Sequence, residues 1–79
     1  MGKTLLSRRF NWILPPEGET VPCTAKIRHT QFDRPATAYP QADGSCRVEF
    51  AEPQRAITPG QSVVLYRGDI VLGGGIIAE

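Results

Sequence analysis

The sequence predicts an all-β fold: a small closed or nearly closed antiparallel barrel of about six short strands. Three observations carry that expectation. Apolar and polar residues alternate in short runs, and no window holds a helical period. Turn signals punctuate the runs, with Gly 8 and Pro 7 in a chain of 79 residues. The run Gly73-Gly74-Gly75 lets a strand bend sharply or lets another backbone approach closely, which closing a small barrel requires. A barrel is favoured over a sandwich because closure removes exposed strand edges.

The elements follow in order. Residues 1–4 read as linker or expression-derived residues, and 5–79 as the barrel domain. From Leu5 to Leu14, Phe10, Trp12 and Leu14 recur at alternate positions, as core anchors of a first strand; Pro15-Pro16-Glu17-Gly18 ends it. A second strand begins near Cys23, with Cys23, Ala25 and Ile27 on one face and Thr24, Lys26 and Arg28 on the other. Thr30 to Pro35 reads as a loop or bulge. Ala36 to Tyr39 is a third strand, which Pro40 ends or confines to an edge. Asp43-Gly44 predicts a type I′ hairpin turn into a fourth strand, Cys46 to Phe50. Ala56-Ile57 is compatible with a brief strand. Thr58-Pro59-Gly60-Gln61 suits a type II turn, in which proline presets one corner and glycine supplies positive φ at the next. Ser62 to Tyr66 and Ile70 to Ala78 are the last two strands, joined by a turn at Arg67-Gly68-Asp69.

Composition narrows the function classes. Hydrophobic residues make up 41% and charged residues 22%, ordinary for a folded domain. The net charge of +1 makes no polyelectrolyte, so any nucleic-acid contact must rest on a local patch. Lys26, Arg28 and Arg34 lie close together, with His29 among them. Cys23 and Cys46 lack CxxC spacing and one His is present, so no metal site is expected; two reduced, mostly buried thiols are. No apolar run is long enough for a membrane helix and the first residues lack a secretion signal, so the expected setting is cytoplasmic, without a membrane partner. Asp33, Asp43, Glu49 and Asp69 are scattered over separate strands and turns and predict no acid–base pair. No phosphate loop is legible, because no lysine follows Gly73-Gly74-Gly75.

Three stretches then carry a family resemblance. They are Cys23-Thr24-Ala25-Lys26-Ile27-Arg28-His29-Thr30-Gln31; Val48-Glu49-Phe50 through Pro53 to Ala56-Ile57-Thr58-Pro59-Gly60-Gln61; and Val63-Val64-Leu65-Tyr66, Gly68-Asp69 and Leu72-Gly73-Gly74-Gly75-Ile76-Ile77. Asn11-Trp12-Ile13 adds the look of the opening strand. Together they resemble the C-terminal β-barrel domain of the tRNA-specific 2-thiouridylase family over nearly the whole chain. The resemblance implies a tRNA-contacting accessory barrel. In that family the ATP-dependent sulfur transfer to the wobble uridine belongs to another domain, which carries the ATP and the catalytic cysteines. This chain alone is then no enzyme and holds no cofactor; its implied partners are the anticodon-stem region of tRNA and the catalytic domain of the same parent chain.

The implied tRNA-binding residues are Arg28, His29 and Gln61, with Lys26 added because it shares a strand face with Arg28. Arginine forks onto phosphate or stacks on a base, an adjacent ring stacks, and a turn glutamine offers both donor and acceptor. The sequence departs from the family in having His29 for a tyrosine and Thr30 for a second arginine. The competing expectation is a structural barrel that packs on the catalytic domain or a sulfur-relay partner without touching RNA.

Overall fold

The computed structural model describes residues 2–16, 18–27, 32–54 and 57–79. They form seven antiparallel strands and, among the described residues, no helix. The strands are β1 (Gly2–Ser7), β2 (Phe10–Trp12), β3 (Val21–Ile27), β4 (Arg34–Pro40), β5 (Cys46–Gln54), β6 (Ser62–Arg67) and β7 (Ile70–Ile76). One sheet runs in the order β1-β5-β4-β3-β6-β7-β2. The predicted all-β barrel is therefore present, nearly closed, with seven strands where about six were expected.

The extra strand comes from the first segment. The sequence reads it as one strand from Leu5 to Leu14. The structure bends it at Arg8-Arg9, so that β1 and β2 form the two opposite edges of the sheet. β1 pairs with β5 (Leu5↔Val48, Ser7↔Cys46), while β2 pairs with β7 (Phe10↔Gly75, Trp12↔Gly73). One covalent segment thus joins both edges and draws the sheet into a barrel. The sheet also takes in residues 2–4, since Thr4 pairs with Glu49. Leu14 lies beyond β2 and is exposed, so the alternation that grouped it with Phe10 and Trp12 ends at the strand.

The C-terminal residues complete the closure. Ile77 N–H donates to Gln61 O at 2.8 Å, and Ala78 N–H donates to Leu6 O at 2.7 Å. The final strand ends at Ile76 and not at Ala78, because the chain beyond it leaves β6 to bond with β1.

Inside the barrel lie Leu5, Phe10, Val21, Ala25, Ile27, Val48, Phe50, Val63, Leu65, Leu72 and Ile77, with Ala36, Ala38 and Cys46 filling tighter positions. Burying each large aliphatic or aromatic chain contributes about 1.5–3 kcal/mol. Phe10 and Trp12 are in tilted ring contact, with centroids 4.7 Å apart, and Trp12 packs against the core. They are core anchors, as the alternation suggested.

Three local expectations are revised. β4 is an interior strand between β3 and β5; Pro40 terminates it but does not make it an edge. The hairpin at Asp43-Gly44 is not type I′: only Gly44 has positive φ (90°), and Gly44 N–H donates to Gln41 O at 3.2 Å. Asp43 instead keeps ordinary φ and uses its carboxylate, accepting from Ser45 N–H at 3.0 Å and Ser45 Oγ–H at 2.6 Å. That local bonding gives the turn its shape without a second strained corner. Ile57 is not in a strand, and Ala56 lies outside the described residues. The type II expectation at Thr58-Pro59-Gly60-Gln61 is met: Gly60 has φ 92° and Gln61 N–H donates to Thr58 O at 3.2 Å.

Candidate nucleic-acid interface

Lys26, near the end of β3, and Gln61, in the turn just before β6, lie toward the same end of the sheet. On β3 the buried residues Ala25 and Ile27 alternate with half-buried Thr24 and Lys26, which puts the lysine on the outer wall. Lys26 pairs with Val64 and Ile27 with Val63, so the end of β3 runs alongside the start of β6, which Gln61 immediately precedes. The Gln61 backbone is pinned on both sides, by Thr58 O and by Ile77 N–H. Its side-chain amide makes no hydrogen bond among the described residues. Arg28 and His29 lie outside the described residues.

The sequence missed two rings beside Lys26. A groove of about 270 Å³ is lined by Lys26, Phe32, Asp33, Tyr66, Gly68 and Asp69. Tyr66 stands opposite Thr24, one alternation from Lys26 on the same outer face, and Phe32 is 63% exposed. The partial signal for Tyr66 was its position on the polar face of β6. Its neighbours across the sheet depend on a register that the sequence does not state. Chemically the groove combines ring faces, one ammonium and two carboxylates. Rings stack on unpaired bases, an ammonium meets phosphate, and carboxylates accept from exocyclic amines. Asp33 also accepts the hydroxyl of Thr24, which ties the start of β4 to β3.

Other polar clusters have local explanations. The larger groove, about 680 Å³, lies between β1, the hairpin turn and Glu79. Its Asp43 carboxyl is held below the usual carboxylate range by the hydrogen bonds from Ser45, so it serves the turn. Glu49 accepts from Tyr39 Oη–H at 3.4 Å. The Arg8–Glu79 pair, at 2.7 Å, is solvent-exposed and contributes little.

Both cysteines are free thiols, Cys46 buried and Cys23 partly so. Desolvation pushes each pKa up from the ordinary 9.0 to about 11. Backbone hydrogen bonds from Ala38 and Tyr39 oppose that shift without cancelling it. A raised thiol pKa means that the folded chain holds its proton where the unfolded chain has lost it. The associated stabilisation is complete below pH 9 and is lost as pH rises from 9 towards 11. At pH 8 both thiols should alkylate about 100-fold more slowly than a free thiol of ordinary pKa, and faster as pH rises; iodoacetamide kinetics followed by mass spectrometry check this.

Comparison with known proteins gives a consistent result. Residues 2–77 match the family described as the aminomethyltransferase β-barrel domain. The tRNA-specific 2-thiouridylase MnmA of Halalkalibacterium halodurans is 60% identical over 70 residues, covering 87% of this chain and 19% of the relative. That of Stenotrophomonas maltophilia is 48% identical over 79 residues, covering 99% of the chain and 21% of the relative. That of Haemophilus influenzae is 47% identical over 78 residues, covering 98% and 20%. The chain spans about a fifth of the length of the curated relatives it matches.

Proposed function

Because the chain belongs to the aminomethyltransferase β-barrel domain family and matches the C-terminal barrel of tRNA-specific 2-thiouridylases, we propose that it is the accessory barrel of such an enzyme and touches tRNA directly. One observation supports this reading most: Lys26, on the outer wall of β3, lines a groove together with Tyr66 and the exposed ring of Phe32. A cation beside stacking rings makes a set suited to single-stranded or looped RNA, and Gln61 is added to it by family resemblance. Arg28 and His29 are proposed as further tRNA contacts by family resemblance alone. The proposed ligand is the anticodon-stem region of tRNA. Sulfur transfer and its ATP are assigned to the four-fifths of the relatives' length that this chain does not match, and the setting is the cytoplasm. Catalysis by the barrel itself is not part of the reading.

The test is an NMR titration of the chain with an anticodon stem-loop RNA. Amide and side-chain signals of Lys26, Gln61 and Tyr66 should shift together, with weak and salt-sensitive affinity. Lys26→Ala should weaken binding by about 3- to 10-fold and lower the salt slope by about 0.7–0.9, the share of one phosphate contact. Gln61→Ala should weaken binding with the salt slope unchanged, because its contact is uncharged. Signals that stay in place at millimolar RNA, or a Lys26→Ala variant with an unaltered salt slope, overturn the direct-contact reading.

A further inference from the structure

The groove beside Lys26 carries more negative than positive charge, which phosphate contact alone does not explain. Its lining holds one ammonium, Lys26, and two carboxylates, Asp33 and Asp69, beside the rings of Tyr66 and Phe32. The lysine attracts phosphate and the rings stack; the carboxylates oppose the first and add nothing to the second. A carboxylate gains in such a place only where donors come within hydrogen-bonding distance. Asp33 is also held in position. It accepts the hydroxyl of Thr24, and Thr24 stands directly across the β3–β6 ladder from Tyr66. Side chains paired in this way have Cβ atoms about 4.5–5.5 Å apart. The bond therefore fixes an anionic acceptor beside Tyr66, at the margin where a base stacked on that ring presents its edge. Asp69 lies in the turn between β6 and β7 and makes no hydrogen bond among the described residues.

The four bases answer a fixed carboxylate differently. Guanine presents two adjacent donors on its Watson–Crick edge, N1–H and the N2 amine, and a carboxylate accepts both at once. Uracil sets its N3–H between two carbonyl oxygens, which repel the anion. Adenine and cytosine each place one amine beside a ring nitrogen that is itself an acceptor. We infer that this groove selects an unpaired guanine: the base stacks on Tyr66, its N1–H and N2 amine donate to Asp33, and Lys26 takes a neighbouring phosphate. The inference rests on the proposal that the chain touches RNA, and it narrows that contact to one base. Asp33 sets the choice of base. Asp69 adds charge without reading the edge, because no bond holds its carboxylate toward the ring.

The experiment titrates the chain, in EDTA, with the single-stranded ribonucleotides UUGUU, UUAUU, UUCUU and UUUUU, following Tyr66 and Lys26 signals by NMR. UUGUU should bind about 10-fold more tightly than UUUUU, the discrimination of one bidentate pair, and should also exceed UUAUU and UUCUU. Inosine in place of guanine keeps N1–H, loses the amine, and should remove most of the preference. Asp33→Asn should cut the preference to below about 2-fold while binding UUUUU no more weakly, because a repelling charge has gone. Asp69→Asn removes the same charge and should keep the preference. Asp33 also ties β4 to β3, so amide dispersion checks that its variant is folded; the inosine oligomer tests the same contact on the parent chain. Equal affinity for all four oligomers, with Tyr66 and Lys26 signals moving, overturns the inference and leaves RNA contact standing. Oligomers that move no signal at millimolar concentration overturn it as well, and the stem-loop titration then judges RNA contact separately. A preference that appears only when magnesium replaces EDTA overturns it too, since the carboxylates then hold a cation. Loss of preference in Asp69→Asn but not in Asp33→Asn overturns the assignment of Asp33.

Discussion

Gly73→Ala should lower the melting temperature of the chain by about 10–20 °C, for about 2–3 kcal/mol of lost stability. A Cβ at position 73 would sit 2.5 Å from the carbonyl oxygen of Asn11, 2.9 Å from the Phe10 ring and 3.1 Å from the Trp12 Cα. Two of those three atoms are backbone of β2, the strand that pairs with β7 through Trp12↔Gly73. Relief therefore requires moving a strand, not rotating a side chain. The added methyl also meets the Phe10 ring, which occupies the inner space beside Gly73 and Gly75 in place of side chains there. Gly18→Ala is the matched control: a Cβ there meets nothing within 4 Å, and its effect should stay within about 0.5 kcal/mol. Thermal unfolding followed by circular dichroism separates the two. Equal melting temperatures for both variants would refute the claim that close approach of β2 is why β7 is glycine-rich.

That claim marks what was legible in the sequence and what was not. The glycine run announced either a bend or a close approach, and both readings are local. Which backbone approaches is a matter of long-range pairing, and it proved to be the residues directly after the Arg8-Arg9 corner. The same limit explains the split first strand. Phe10 and Trp12 alternate correctly, but nothing in residues 5–14 says that the chain leaves β5 at Ser7 and joins β7 at Phe10. Turns fared according to how many residues their chemistry constrains. Pro59-Gly60 fixes two corners and was read correctly, whereas Asp43-Gly44 fixes only one, because the Asp43 carboxylate can bond Ser45 and shape the turn another way. In the candidate interface, Lys26 was legible from the alternation of β3, and Gln61 from the resemblance. Tyr66 was hidden, because it meets Thr24 and Lys26 only through the β3–β6 register.

Removing the last three residues, 77–79, should leave a chain with no cooperative thermal transition. Ile77 is buried in the core, and truncating a side chain of that kind costs about 2–5 kcal/mol. Its backbone bonds both sides of the turn before β6: it donates to Gln61 O at 2.8 Å and accepts from Gly60 N–H at 2.8 Å. Ala78 N–H and Glu79 O then bond Leu6 O and Leu6 N–H, at 2.7 and 2.8 Å. Each such bond is worth about 0.5–1.5 kcal/mol net, and its loss leaves a partner to be resatisfied by water at a seam beside the core. The sum rivals the whole stability of a domain this small, about 4–12 kcal/mol. The exposed Arg8–Glu79 ion pair has no share in that argument, so Glu79→Gln should melt within a degree or two of the parent chain. Near-ultraviolet circular dichroism and amide dispersion in NMR spectra check the truncated chain. If it keeps a cooperative transition near that of the parent, the covalent link between β1 and β2 is sufficient to close the barrel, and the C-terminal seam is dispensable.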